Sequence, residues 1–145
     1  MCAGEIVASA VVAGAFMALA AELARALGIS SSSLILTDGE FAVRMIGRSS
    51  LRVLSYVAGT TIHLGTSAVF GAIYYGIVCG LDLTPYSVKV IAPYVFALWL
   101  AMLFTALPVA GQGILGRKAG RLAWLEQMAL HAIFGVSFWW ALQTL

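Results

Sequence analysis

Four stretches of apolar sequence, Ile6 to Leu27, Val53 to Val78, Val90 to Pro108 and Leu122 to Gln143, constrain this chain more than any other feature. A bilayer core about 30 Å thick is crossed by roughly 20 residues at 1.5 Å of rise each, and each stretch meets that need. With 62% hydrophobic residues, 10% charged residues and a mean hydropathy of +1.00, a water-soluble fold would have nowhere to put its apolar surface. The expected fold is a single all-α integral membrane domain over residues 1–145 with four transmembrane helices. Nothing between the stretches is long enough for a separate catalytic domain. The first stretch is too long for the apolar part of a signal peptide and has no basic residue before it, so it reads as a retained helix.

Positive charge orients the bundle. Arg25, Arg44, Arg48 and Arg52 surround the first connection and Arg117, Lys118 and Arg121 the third, leaving only Lys89 on the opposite side. By the positive-inside rule both basic connections are cytoplasmic, and both termini and the loop at Asp82 lie outside. The net charge of +2 is thereby accounted for without nucleic acid. Cys2 and Cys79 fall near the same outer face, either as two free thiols or, in an oxidising compartment, as a disulfide.

In the first connection, Thr37 followed by Glu40 has the spacing of a capping box, and Phe41 and Met45 stand four apart. A short amphipathic helix over about 38–46, lying on the inner interface, is expected there, with a plain connector as the alternative. The third helix starts at Thr84 and Pro85 or soon after, with Pro93 marking a bend in it, and Pro108 with Gly111 to Gly116 its end. Tyr74, Tyr75, Tyr86, Tyr94, Trp139 and Trp140 have the positions of an outer aromatic belt.

The chain also echoes itself. Gly47, Arg48 and Arg52 lead into the second stretch as Gly116, Arg117 and Arg121 lead into the fourth, and each then carries one histidine. His63 lies 11 residues past Arg52 and His131 lies 10 past Arg121. Two parallel-repeat helical hairpins would set both imidazoles near mid-bilayer at nearly one depth.

The run His63-Leu-Gly65-Thr-Ser-Ala-Val-Phe-Gly71-Ala-Ile-Tyr74, Trp99 followed by Pro108, and His131-Ala-Ile-Phe-Gly135 resemble the small bacterial inner-membrane proteins of the YagU-like kind. The resemblance covers roughly residues 10–140 and implies a fold and a bacterial inner-membrane location. It brings no activity, since that family has no established mechanism. Thr66 and Ser67 stand where a glycine would be usual.

Ionisable and polar groups inside a span cost several kcal/mol unless they are paired or face the interior, which makes them the first candidates for function. Glu22 has Arg25 three residues on as an ion-pair partner, and Glu126 lies about one turn inside Arg121. Around His63, the residues Tyr56, Gly59, Thr60, Thr66, Ser67, Phe70 and Tyr74 form a polar and small-residue face expected to point inward. Gln127 is the strongly polar neighbour of His131.

Three roles are open for the two histidines. Each can fix the bundle's register by hydrogen bonding to Thr60, Ser67, Gln127 or a tyrosine. They can hold a b-type haem between them in an electron carrier. With Glu126 they can form a proton or metal-ion relay, although two histidines with no cysteine at their depth make a poor metal site alone. The glycines of 111–116 lack the preceding strand of a phosphate-cradling loop, and no paired catalytic carboxylates appear, so an enzyme is not expected. The leading expectation is a structural or accessory membrane subunit that meets other membrane proteins, or a second copy of itself, within the lipid bilayer. A haem electron carrier and a small channel or transporter-like protein are the alternatives.

Overall fold

The computed structural model describes residues 2–30, 35, 36, 39, 42, 43 and 52–145. Helix α1 is Ala3–Ala26, α2 is Arg52–Gly80, α3 is Val88–Val109 and α4 is Ala123–Thr144. These bounds lie within a few residues of the four apolar stretches, and no strand occurs among the described residues. Of the four, α1, α2 and α3 are long and apolar enough to cross a membrane. Helix α4 is of similar length, but Glu126, Gln127 and His131 gather in its first half and set it apart from that group.

Small residues decide which helices touch. At Gly71 an added Cβ would come within 2.8 Å of Ala10 and 2.9 Å of the Val7 backbone, and at Gly14 it would collide with the Ser67 side chain. Helices α1 and α2 therefore cross at near-backbone distance, the mode of packing that membrane helices rely on where lipid removes the hydrophobic drive. Helix α1 also packs against α4, and α4 against α3. By contrast, the backbones of α2 and α3 stand apart. A strict two-hairpin repeat would make the α1–α4 and α2–α3 approaches alike, and in backbone packing they differ.

Aromatic side chains close this open side at the end that carries the termini. The Tyr94 hydroxyl donates to the Phe70 carbonyl at 2.6 Å, and the Tyr74 hydroxyl to the Pro85 carbonyl at 2.6 Å. The Tyr74 ring lies 4.9 Å from Tyr94 and 5.1 Å, edge-on, from Phe138. Tyr74 and Phe138 are fully buried. The expected aromatic belt is thus corrected in part: Tyr86, Trp139 and Trp140 are exposed, whereas Tyr74 belongs to the core and Tyr94 ties α3 to α2.

Local chemistry explains both ends of α3. Helix α3 begins at Val88 with Ser87 before it, soon after Thr84 and Pro85 as expected. Thr84 opens a turn whose carbonyl accepts the Ser87 N–H at 3.1 Å, with Pro85 at its favoured second position. Near the other end, Met102–Ala106 widens into a π-helical turn, and the Leu107 N–H bonds the Met102 carbonyl five residues back. The next residue is Pro108, which has no N–H to offer and whose ring crowds the carbonyl four residues earlier, so the wider turn relieves both defects. Helix α3 ends at Val109, and Gly111, Gly113 and Gly116 follow with φ of 79°, 75° and 68°.

In the first connection, residues 35, 36, 39, 42 and 43 are helical. Thr37, Glu40, Phe41 and Met45, on which the amphipathic reading rested, lie outside the described residues. Ile35, Gly39 and Val43 are buried at a spacing of four, and Gly39 meets α2 backbone to backbone at Ser55 and Gly59. This face of the segment packs on protein, which differs from a helix resting its apolar side on lipid. Cys2 and Cys79 are exposed free thiols.

Candidate functional site

His63 lies in the middle of α2 and His131 in the third turn of α4, and both line one cavity of about 260 Å³. The cavity occupies the gap between the α2 and α3 backbones. Gly14 brings α2 onto α1 on one side of it, and Phe70 and Phe134 stand in its wall toward the aromatic cluster. Met17 from α1, Thr66 and Ser67 from α2, and Met102 and Thr105 from the π-helical turn of α3 complete the polar and sulfur lining.

The hydrogen bonds determine what this lining can offer. His63 Nε2 lies 3.1 Å from the Gly14 carbonyl oxygen. A carbonyl only accepts, so in a neutral ring Nε2 carries the hydrogen and Nδ1 keeps its lone pair. In His131 the roles are reversed, with Nδ1 donating to the Gln127 carbonyl at 2.8 Å and Nε2 left as the acceptor. The Ser67 hydroxyl donates to the His63 carbonyl at 2.8 Å, and the Thr105 hydroxyl to the Ala101 carbonyl at 2.5 Å. Both are bonds to the residue four places earlier in the same helix. These four side chains therefore give their hydrogens to the backbone and keep lone pairs available, while the Thr66 hydroxyl, also in the lining, can donate or accept. The lone pairs suit a cation or a hydrogen-bond donor.

Two further spaces share walls with it. Toward the basic end, a cavity of about 190 Å³ is lined by Glu126 and Gln127, and Met102 and Ala106 line both it and the central cavity. The Gln127 Oε1 atom is buried with no hydrogen-bond partner. Toward the terminal end, a groove of about 380 Å³ runs between α3 and α4 from His131 to Val88 and Trp139, so His131 borders both groove and cavity. The three spaces follow one another along the bundle.

Of the residues singled out from sequence, His63, Thr66, Ser67, Phe70 and His131 come together here, and Gln127 joins them through its backbone carbonyl. Glu126 belongs to the neighbouring cavity. Thr60 is exposed and lines none of the three spaces, so its expected inward position is corrected. Of the expected inward face on α2, Gly59, Ser67 and Tyr74 are buried, together with Ser55, Gly71 and Val78. Glu22 pairs with Arg25 at 3.0 Å, and Arg25 reaches the Tyr56 hydroxyl at 3.4 Å, which joins α1 to α2 near the basic end. Met17, Met102 and Thr105 were not singled out. Met17 stands three residues after Gly14, on the face that meets α2, and this was the one available signal.

No group of three or more His, Cys, Asp or Glu side chains suited to a metal ion occurs among the described residues. No protein-family model, curated protein or solved structure matches this chain.

Proposed function

We propose that this chain is a non-enzymatic bacterial inner-membrane protein of four spans, with both termini outside, that relays a cation, a proton or a metal ion, across the bilayer. One observation carries the reading: a single cavity is lined by both histidines, each with its N–H taken by a backbone carbonyl, and shares walls with a space toward each end of the bundle. The positive-inside distribution of Arg and Lys supports the orientation, and the paired leads into α2 and α4 support two related hairpins whose second interface has opened into the cavity. The YagU-like resemblance, carried by the histidine and glycine runs, agrees with this location.

A haem between the histidines draws less support. His63 Nε2 is occupied by the Gly14 carbonyl, and about 260 Å³ falls below the roughly 300–1,000 Å³ of ordinary small-molecule clefts. A reduced-minus-oxidised absorbance spectrum without haem bands would agree.

The accessory-subunit reading has its own observation. On α2, a Cβ at Gly65, Gly76 or Gly80 would meet nothing within 4 Å, and Gly76 and Gly80 form a Gly-x-x-x-Gly pair facing outward. This surface fits another membrane protein or a second copy of the chain.

Purified protein in liposomes loaded with a pH-sensitive dye tests the relay against a metal-sensitive dye in parallel. Dissipation of an imposed proton or cation gradient at least tenfold faster than in empty liposomes is expected. Leakage equal to that of empty liposomes for both ions, together with stoichiometric co-purification with a larger membrane assembly, would replace the relay by the accessory role.

A further inference from the structure

The central cavity brings two imidazoles together with two thioethers, from Met17 on α1 and Met102 on the π-helical turn of α3. We infer that this cavity is a site for a soft monovalent metal cation of the Cu(I) or Ag(I) class, held by His63, His131, Met17 and Met102. The inference rests on the relay reading and names the ion.

Ligand chemistry makes the choice. Thioethers are soft, polarisable donors that favour Cu(I) and its congeners, and neutral imidazole serves the same ions, whereas Mg²⁺ and Ca²⁺ require carboxylate and carbonyl oxygen. No Asp or Glu lines this cavity, so a divalent ion would keep its full charge in a low-dielectric space, and a monovalent ion carries half as much. Both imidazoles give their N–H to a backbone carbonyl, the outer support that metal-bound histidines ordinarily have, which fixes the ring and directs the remaining lone pair. Methionine has three rotatable bonds, so its sulfur can draw in toward an ion from the wall of a cavity that holds several water volumes of about 30 Å³ each. The π-helical turn that carries Met102 also borders the basic-end cavity. Met102 is thus the side chain that separates a bound ion from that neighbouring space.

The test uses the full chain in detergent with Cys2→Ser and Cys79→Ser, because exposed thiols would themselves take up a soft metal. Neither cysteine lines the cavity. Calorimetric titration with Ag(I), which avoids any change of redox state, is expected to show one ion per chain, bound at least tenfold more tightly than Zn(II). Met17→Leu and Met102→Leu conserve volume and should each weaken Ag(I) at least tenfold, with circular dichroism unchanged. The inference is overturned by no Ag(I) binding, by Zn(II) binding as tightly, or by Met→Leu variants that bind as wild type does. Proton flux without Ag(I) binding would remove the metal site and leave the relay. One Ag(I) bound at the four residues without flux of either ion would keep the site and remove the relay.

Discussion

Replacing Gly59 with alanine is expected to cost about 3 kcal/mol of stability, the upper part of the range for an overpacked interior. A Cβ there would fall on the Ile35 carbonyl, and one at Gly39 would fall on the Ser55 carbonyl. Both obstacles are backbone, so no side chain can swing aside and the segment around residue 39 must leave α2. Lipid tails are as apolar as the lost contact surface, and nothing but close packing holds such a joint. Gly65 is the internal control, because a Cβ there meets nothing within 4 Å. Gly65→Ala should be neutral or slightly stabilising through helix propensity, by up to about 1 kcal/mol. Unfolding by SDS titration, followed by circular dichroism, measures both variants. Equal stability for Gly59→Ala and Gly65→Ala would show that the joint is not tight.

His63→Ala and His131→Ala should each lower cation flux in liposomes about 100-fold. A charge near the centre of a membrane costs at least about 2.5 kcal/mol more than in water, and a neutral imidazole acceptor offsets much of that at the cavity. Losing one acceptor raises the barrier by an amount of that order, and each 1.36 kcal/mol is a factor of ten in rate. The two side chains serve one cavity, so the double variant should fall little below either single one. Thr60→Ala, exposed and outside the cavity, should conduct as wild type does. Were the histidines only fixing the register of the bundle, the single variants would lose stability while the flux per folded molecule stayed constant.

Much of the frame was legible in the sequence, because membrane helices are written as uninterrupted apolar runs. The ends of α1, α2 and α4 fall within three residues of those runs. A nearly common depth for His63 and His131 was also open to simple arithmetic, since helix rise is constant and α2 and α4 start from matched basic leads, but that the two share one cavity was not. What could not be read was which group satisfies each polar atom. Thr60 was placed inward as a partner for His63, but the Gly14 carbonyl takes that hydrogen, and a backbone carbonyl on another helix leaves no mark in a side-chain pattern. Tyr74 and Tyr94 looked like belt residues because a tyrosine at a helix end reads alike whether its hydroxyl meets water or a carbonyl. Met17 and Met102 were passed over for a related reason: a methionine among leucines and alanines looks like packing until the cavity shows what stands opposite. The opening between α2 and α3, bridged by aromatic side chains, is a tertiary effect with no local signature.

The chain has two histidines, and that makes their lone pairs directly observable. Nitrogen-15 NMR of imidazole-labelled protein in micelles at about pH 8 resolves which ring nitrogen of each residue carries the hydrogen, with His63→Ala and His131→Ala giving the assignment. Opposite tautomers are predicted: hydrogen on Nε2 for His63, bonded to Gly14, and on Nδ1 for His131, bonded to Gln127. Finding the same tautomer in both rings, or rapid exchange between tautomers in either, would contradict imidazole N–H groups held by backbone carbonyls with the opposite ring nitrogens left as acceptors.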